Sequence, residues 1–160
     1  MEVWIMLVRS RGRSLVCWGL LGLILAFIWG NSIMPGETSG AVSGWVGELL
    51  RTLLPFLPLD KPEGIHILRK IAHFSEFAAL GFVLCWRFGM WVPKFWQWIM
   101  FPVGCGVAAA GIDEVIQVFS PGRYCSIVDV MIDSAGVVTG VLALVVMHWV
   151  WMRLRKGRGR

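Results

Sequence analysis

Apolar residues fall into four long runs, at 14–36, 67–90, 95–119 and 127–152, with most charges between them or at their ends. A helix needs about 20 mostly apolar residues to cross a bilayer. The pattern therefore predicts an all-α fold, an integral membrane bundle of four transmembrane helices forming a single domain over residues 1–160. Arg9, Arg11 and Arg13 precede the first run, but no small-residue cleavage site follows it, so it reads as a retained span rather than a signal peptide. After a loop rich in Gly and Ser, residues 46–57 are apolar but broken by Glu48, Arg51 and Pro55. That segment is too short to span and predicts a short interfacial helix after the first span.

Composition supports this reading. The chain is 57% hydrophobic and 16% charged, with a mean hydropathy of +0.70. These values exclude a disordered chain, a disulfide scaffold and a soluble enzyme built around its own core. The net charge of +5 does not point to nucleic acid, because the basic residues cap apolar runs instead of forming one face. Ten of the fifteen Lys and Arg lie in the N-terminal segment, in the loop read to hold Arg87 and Lys94, or in the C-terminal tail. With four spans these segments share one side, and by the positive-inside rule both termini are cytoplasmic in a multi-pass cell-membrane protein. Nine of the ten acids fall on the other side. Trp4, Trp18, Trp91, Trp96, Trp98, Trp149 and Trp151 lie near span ends, as interfacial belts require. Cys17, Cys85, Cys105 and Cys125 show no C-x-x-C spacing, which argues against zinc on a cysteine site, and the first three read as small packing residues.

The informative residues are the ionisable ones inside the runs. A charge at the centre of a bilayer costs about 2.5–3.5 kcal/mol even on the mildest scale. Lys70, His73 and Glu76 lie early in the second run, Asp113, Glu114 and Gln117 late in the third, and Asp129 and Asp133 early in the fourth. They must face one another or a wet cavity. Helical spacing agrees, because Lys70, His73 and Phe77 share one face, Asp113 and Gln117 another, and Asp129, Asp133, Gly136 and Gly140 a third. The two glycines form a small-x-x-x-small pair that lets a neighbouring backbone come close. Pro121-Gly122-Arg123 reads as a tight turn that aims its arginine back at the bundle mouth.

Arg69-Lys70-Ile71-Ala72-His73-Phe74-Ser75-Glu76-Phe77, followed by Leu80-Gly81, resembles the first signature of the VanZ-like family of small membrane proteins. Asp113-Glu114 through Phe119, then Pro121-Gly122-Arg123, Asp129-Val130 and Asp133 to Gly136, resembles the second, and Asn31-Ser32 with Pro35-Gly36 is similar to the segment after the family's first span. The likeness covers nearly the whole chain. It implies a bacterial multi-span protein in a family named for an accessory determinant of glycopeptide resistance, chiefly to teicoplanin, and implies no particular reaction. Two positions depart from the pattern. Phe77 stands where tyrosine is usual and Asp133 where asparagine is usual.

The residues suggest a site that binds, or acts on, a lipid-linked or peptidoglycan-related intermediate of the cell envelope, and whether it is an enzyme stays open. Lys70 and Arg123 would hold a phosphate or carboxylate. His73 would be general acid or base, oriented by Asp129 or Glu76, while Asp113 and Glu114 would activate water or hold a divalent cation. Gln117 and Asp133 complete the candidate set. An ion- or proton-coupled transporter and a non-catalytic envelope assembly or resistance partner are the alternatives, and an internal network that merely holds the bundle together is the bland one.

Overall fold

Backbone in hydrocarbon must satisfy its own N–H and C=O groups, so each apolar run is expected to be helical throughout. The computed structural model describes residues 11–36, 38, 44, 48 and 62–158. Among them the chain forms α1 (Arg11–Ile33), α2 (Pro62–Gly89), α3 (Phe95–Val118) and α4 (Ile127–Arg158). Three segments, Ser14–Ile33, Phe95–Val118 and Ile127–Lys156, are long and apolar enough to cross a membrane. The helix α2 matches them in length, with 28 residues, but carries Arg69, Lys70, Glu76 and Arg87.

The helix ends have local causes. The first helix stops at Ile33, short of the expected 36, because Met34 precedes Pro35 and a residue before proline is pushed out of the helical region. The second starts at Pro62, five residues before the expected 67, where proline's fixed φ suits a first helical position. The fourth runs on through the basic tail to Arg158, where cations complement the helix dipole. The interfacial helix expected over 46–57 lies outside the described residues, Glu48 apart.

Of the three neighbours it touches, α2 packs most extensively on α4. Glycines set that contact. A Cβ on Gly81 would lie 2.9 Å from the Val137 carbonyl carbon and closer still to its oxygen, and one on Gly136 or Gly140 would collide with the carbonyls of Phe74 or Ala78. Phe77, Leu80, Val137, Val141 and Ile28 fill the core around this seam. Leu23, Phe27, Ile71, Val115 and Val146 point outward instead, an apolar exterior that fits a lipid bilayer.

A second clasp joins α2 to α3. Pro102 lies inside α3 and has no N–H to give the carbonyl of Trp98 one turn earlier. Cys85 on α2 supplies a donor, its Sγ lying 3.7 Å from that oxygen, and Trp98 Nε1 donates back to the Cys85 carbonyl at 2.7 Å. Trp98 is thus a buried packing residue and not part of an interfacial belt, whereas Trp18, Trp91, Trp96 and Trp149 are exposed. Trp4 lies outside the described residues.

Arg87 also departs from expectation. Read as a loop residue, it lies in the last turn of α2, 8% exposed, with its guanidinium 5.0 Å from the Trp18 ring centre and 5.1 Å from that of Trp91. Arginine's weakly hydrated, planar cation can exchange water for aromatic faces. Cys17 and Cys85 are buried as packing residues should be, but Cys105 is exposed on α3.

Candidate functional site

The ends of α1 and α3, the start of α4 and the first turns of α2 meet at one end of the bundle. The connection from α3 to α4 begins with a tight turn, in which Arg123 N–H donates to the Ser120 carbonyl at 3.2 Å. Pro121 and Gly122 occupy its centre, and Gly122 has φ +74°, the pairing a type II turn requires. Gly36 N–H donates to the Pro121 carbonyl at 2.9 Å, and Ser120 Oγ donates to the Ser32 carbonyl at 2.8 Å, so the turn is tied to the end of α1.

The start of α4 is fixed from a different helix. Ser126 caps it, its Oγ accepting from Asp129 N–H at 3.3 Å, while its own N–H donates to Glu114 Oε2 at 2.7 Å. In an ordinary capping box the second bond comes from a carboxylate within the same helix. Here α3 provides it, which sets α4 and hence Asp129 and Asp133 relative to Asp113.

Asp113 is fully buried, Asp133 is 1% exposed and Glu114 2%. Gln117 Nε2 donates to Asp113 Oδ2 at 2.8 Å and lies 3.5 Å from Ser32 Oγ. His73 Nδ1 is 3.9 Å from that same Asp113 oxygen. The carboxylate beside His73 is therefore Asp113, and not Asp129 or Glu76 as expected. Asp129 pairs with Lys70 instead, Nζ to Oδ1 3.0 Å, with side chains 43% and 31% exposed. Glu76 turns toward α1, where Asn31 Nδ2 donates to Oε1 at 3.4 Å. Arg69, Lys70, His73, Glu114, Gln117, Asp129 and Asp133 line a cavity of about 20 Å³. That is room for about one water or ion.

Arg123 is half-buried in the connecting loop. Burial pulls its pKa down and Arg69 adds to that, while Asp113 and Glu114 push it back up. It lies within electrostatic reach of the acids and stays a cation at neutral pH.

Beside Asp113, Glu114 gives Oε2 to the Ser126 N–H and keeps a buried Oε1 without a hydrogen-bond partner. A different group, His73, Asp113 and Asp133, has one ligand-type atom from each residue within 4.8 Å of the others. Asp113 and Asp133 are among the described residues a metal could use, each with a buried oxygen that lacks a hydrogen-bond partner.

Each of these side chains comes from a segment that a family model described as VanZ/LLP1 matches, over residues 17–148. The chain belongs to the VanZ/LLP1 family. No curated protein and no solved structure matches it. The VanZ/LLP1 match takes in α1 from Cys17, all of α2 and α3, and α4 as far as His148, and so contains the whole cluster.

Sequence reasoning missed Asn31, Ser32, Ser120 and Ser126 as parts of this VanZ/LLP1 site. Asn31 and Ser32 carry no charge to mark them at the end of an apolar run, and Ser120 and Ser126 lie in the short loop between two runs, where serine is ordinary. The available signal was their place in or next to the family signatures.

Proposed function

We propose that all four helices cross the membrane with both termini in the cytoplasm, and that the polar end opens at the outer leaflet. There it binds, or acts on, the anionic headgroup of a lipid-linked or peptidoglycan-related envelope intermediate. Orientation rests on the ten of fifteen Lys and Arg assigned to the opposite side. The crossing of α2 rests on its 28 residues and on its glycine-tight seam with α4, which lies in an apolar segment.

One observation carries the functional reading: Lys70, 43% exposed, sits with Asp129 at the mouth of a cavity lined by buried acids. An anion would be repelled by those acids and would not fit in about 20 Å³. It would engage from the mouth, against Lys70, Arg69 and the bidentate fork of Arg123, with His73 just inside as the proton carrier beside Asp113. Toward the other end the core is Phe77, Leu80, Val137 and Val141. These side chains give an ion no relay, which favours a surface-facing site over a transporter.

Lipid and peptidoglycan-precursor pools in a deletion strain test this. One lipid-linked species should accumulate several-fold and return to the parental level with the wild-type gene, but not with Lys70→Ala or His73→Ala at matched membrane abundance. Teicoplanin tolerance, suggested by the family's name, is the accompanying phenotype. Unchanged pools in the deletion strain, or full restoration by both variants, would reject the reading.

A further inference from the structure

We propose that His73, Asp113 and Asp133 together hold one divalent first-row transition-metal ion, of the Zn²⁺ or Mn²⁺ type. Each ligand comes from a different helix, α2, α3 and α4, so the arrangement is a product of packing and not of a local acidic run. The separations are short, with ligand atoms within 4.8 Å of one another and His73 Nδ1 3.9 Å from Asp113 Oδ2. Ligands at about 2.0–2.2 Å from one ion lie roughly 3–3.5 Å from each other, so closure by about an ångström, within side-chain rotation, completes the site.

The second observation is independent of proximity. Asp133 is 1% exposed and borders the cavity, yet both of its carboxylate oxygens lack a hydrogen-bond partner, as does Asp113 Oδ1. Buried polar oxygens are almost always satisfied. Asp133 also lies within electrostatic reach of Asp113, Glu114, Asp129 and Glu76. Lys70 is paired with Asp129, and Glu114, a carboxylate with an unpartnered oxygen of its own, adds to the negative charge around Asp133. A dication among three ligands would satisfy the orphaned oxygens and offset the excess of negative charge in one step.

The donor set points to the kind of ion. Imidazole with two carboxylates suits Zn²⁺, Mn²⁺ or Fe²⁺, whereas Mg²⁺ and Ca²⁺ prefer oxygen alone. Around the ligands is the support such sites use: Gln117 Nε2 donates to Asp113 Oδ2 at 2.8 Å and is backed by Ser32, which leaves Oδ1 for the ion. Two of the three ligands, His73 and Asp133, border the cavity of about 20 Å³, which suits an ion and no larger ligand.

The metal shares its site with the anion reading and, when bound, takes the place of a proton on His73 Nδ1. His73 then holds the ion instead of carrying a proton there. The test reads metal and not lipid, so either can fail alone. Full-length protein in detergent, stripped with chelator, is titrated with Zn²⁺, Mn²⁺ and Mg²⁺, and bound metal is counted after gel filtration. We expect about one Zn²⁺ per chain, with Mg²⁺ far weaker. His73→Ala and Asp113→Ala should each weaken Zn²⁺ by more than about 100-fold, beyond the usual effect of removing an outer-shell partner. Asp133→Asn keeps a carbonyl oxygen and should lose less than Asp133→Leu, while His66→Gln, at an exposed histidine, should change nothing. Should the alanine variants not fold, Cu²⁺ electron paramagnetic resonance on the folded His66→Gln chain decides. Nitrogen coupling from one imidazole supports the site. Its absence, no Zn²⁺ binding by the wild type, or binding unaltered in folded His73→Ala and Asp113→Ala overturns the proposal.

Discussion

Gly140→Leu should leave little folded protein in the membrane. A Cβ there would lie within 2.8 Å of the Ala78 carbonyl carbon and of the Phe82 backbone nitrogen, and closer still to the Ala78 oxygen. Overpacking a side-chain core costs about 1–3 kcal/mol. Here the obstacle is backbone, which cannot rotate away, so α2 and α4 must separate along their main contact. The cost should reach or exceed the top of that range, a large part of the roughly 5–15 kcal/mol by which a typical protein is stable. Gly140→Ala should be intermediate. Gly104→Ala, where a Cβ meets nothing within 4 Å, should be neutral or stabilising by about 0.5–1 kcal/mol, since alanine favours helix. Yield and thermal unfolding in detergent measure all three. A Gly140→Leu protein as stable as wild type would mean that α2 and α4 do not meet here, and His73 would then not be near Asp133.

The second large effect separates two acids one turn apart on α4. Asp129→Asn should abolish the envelope phenotype, whereas Asp133→Asn should retain it. Asp129 holds Lys70 at 3.0 Å at the mouth, and its amide would leave that ammonium without its carboxylate. The loss would be functional more than structural, because an ion pair this exposed contributes only about 0–1 kcal/mol of stability. Asp133 is deeper, and both of its oxygens lack a donor. Its amide removes one charge from a crowded group of acids, and the new N–H groups find acceptors in the unpartnered Asp113 Oδ1 nearby. Protein amount should therefore stay at or above wild type. The carbonyl oxygen that remains can still serve the site, in keeping with the asparagine that the family resemblance implies at this position. Activity at matched abundance is the measurement. An inactive Asp133→Asn beside an active Asp129→Asn would reverse the two roles.

Much of this arrangement was legible because charges in apolar runs are costly. Lys70, His73, Asp113, Gln117, Asp129 and Asp133 stand out against their surroundings, and helical spacing alone predicts that each set faces inward. Which acid meets which base was not legible. His73 faces Asp113 and Lys70 faces Asp129 because of the relative rotation of three helices, and that rotation depends on the Gly136 and Gly140 seam and on Glu114 capping α4 through Ser126. Arg87 shows the opposite failure. A charge near the end of an apolar run reads as a loop, and only the packing of Trp18 and Trp91 around it shows how it is accommodated inside α2. Hydropathy was also weakest where the candidate site is densest, since the charges that place α2 in the cluster are those that hide it as a span.

Every role given to the cluster depends on the side of the membrane to which it opens. In a cysteine-free background, Tyr124→Cys lies at the polar end on a position 87% exposed, and Lys156→Cys lies on the exposed far end of α4. An impermeant thiol reagent added to intact cells should label Tyr124→Cys and should reach Lys156→Cys only after the cells are opened. Labelling of Lys156→Cys in intact cells, with Tyr124→Cys protected, would place the cluster in the cytoplasm and contradict a site for outer-leaflet envelope intermediates.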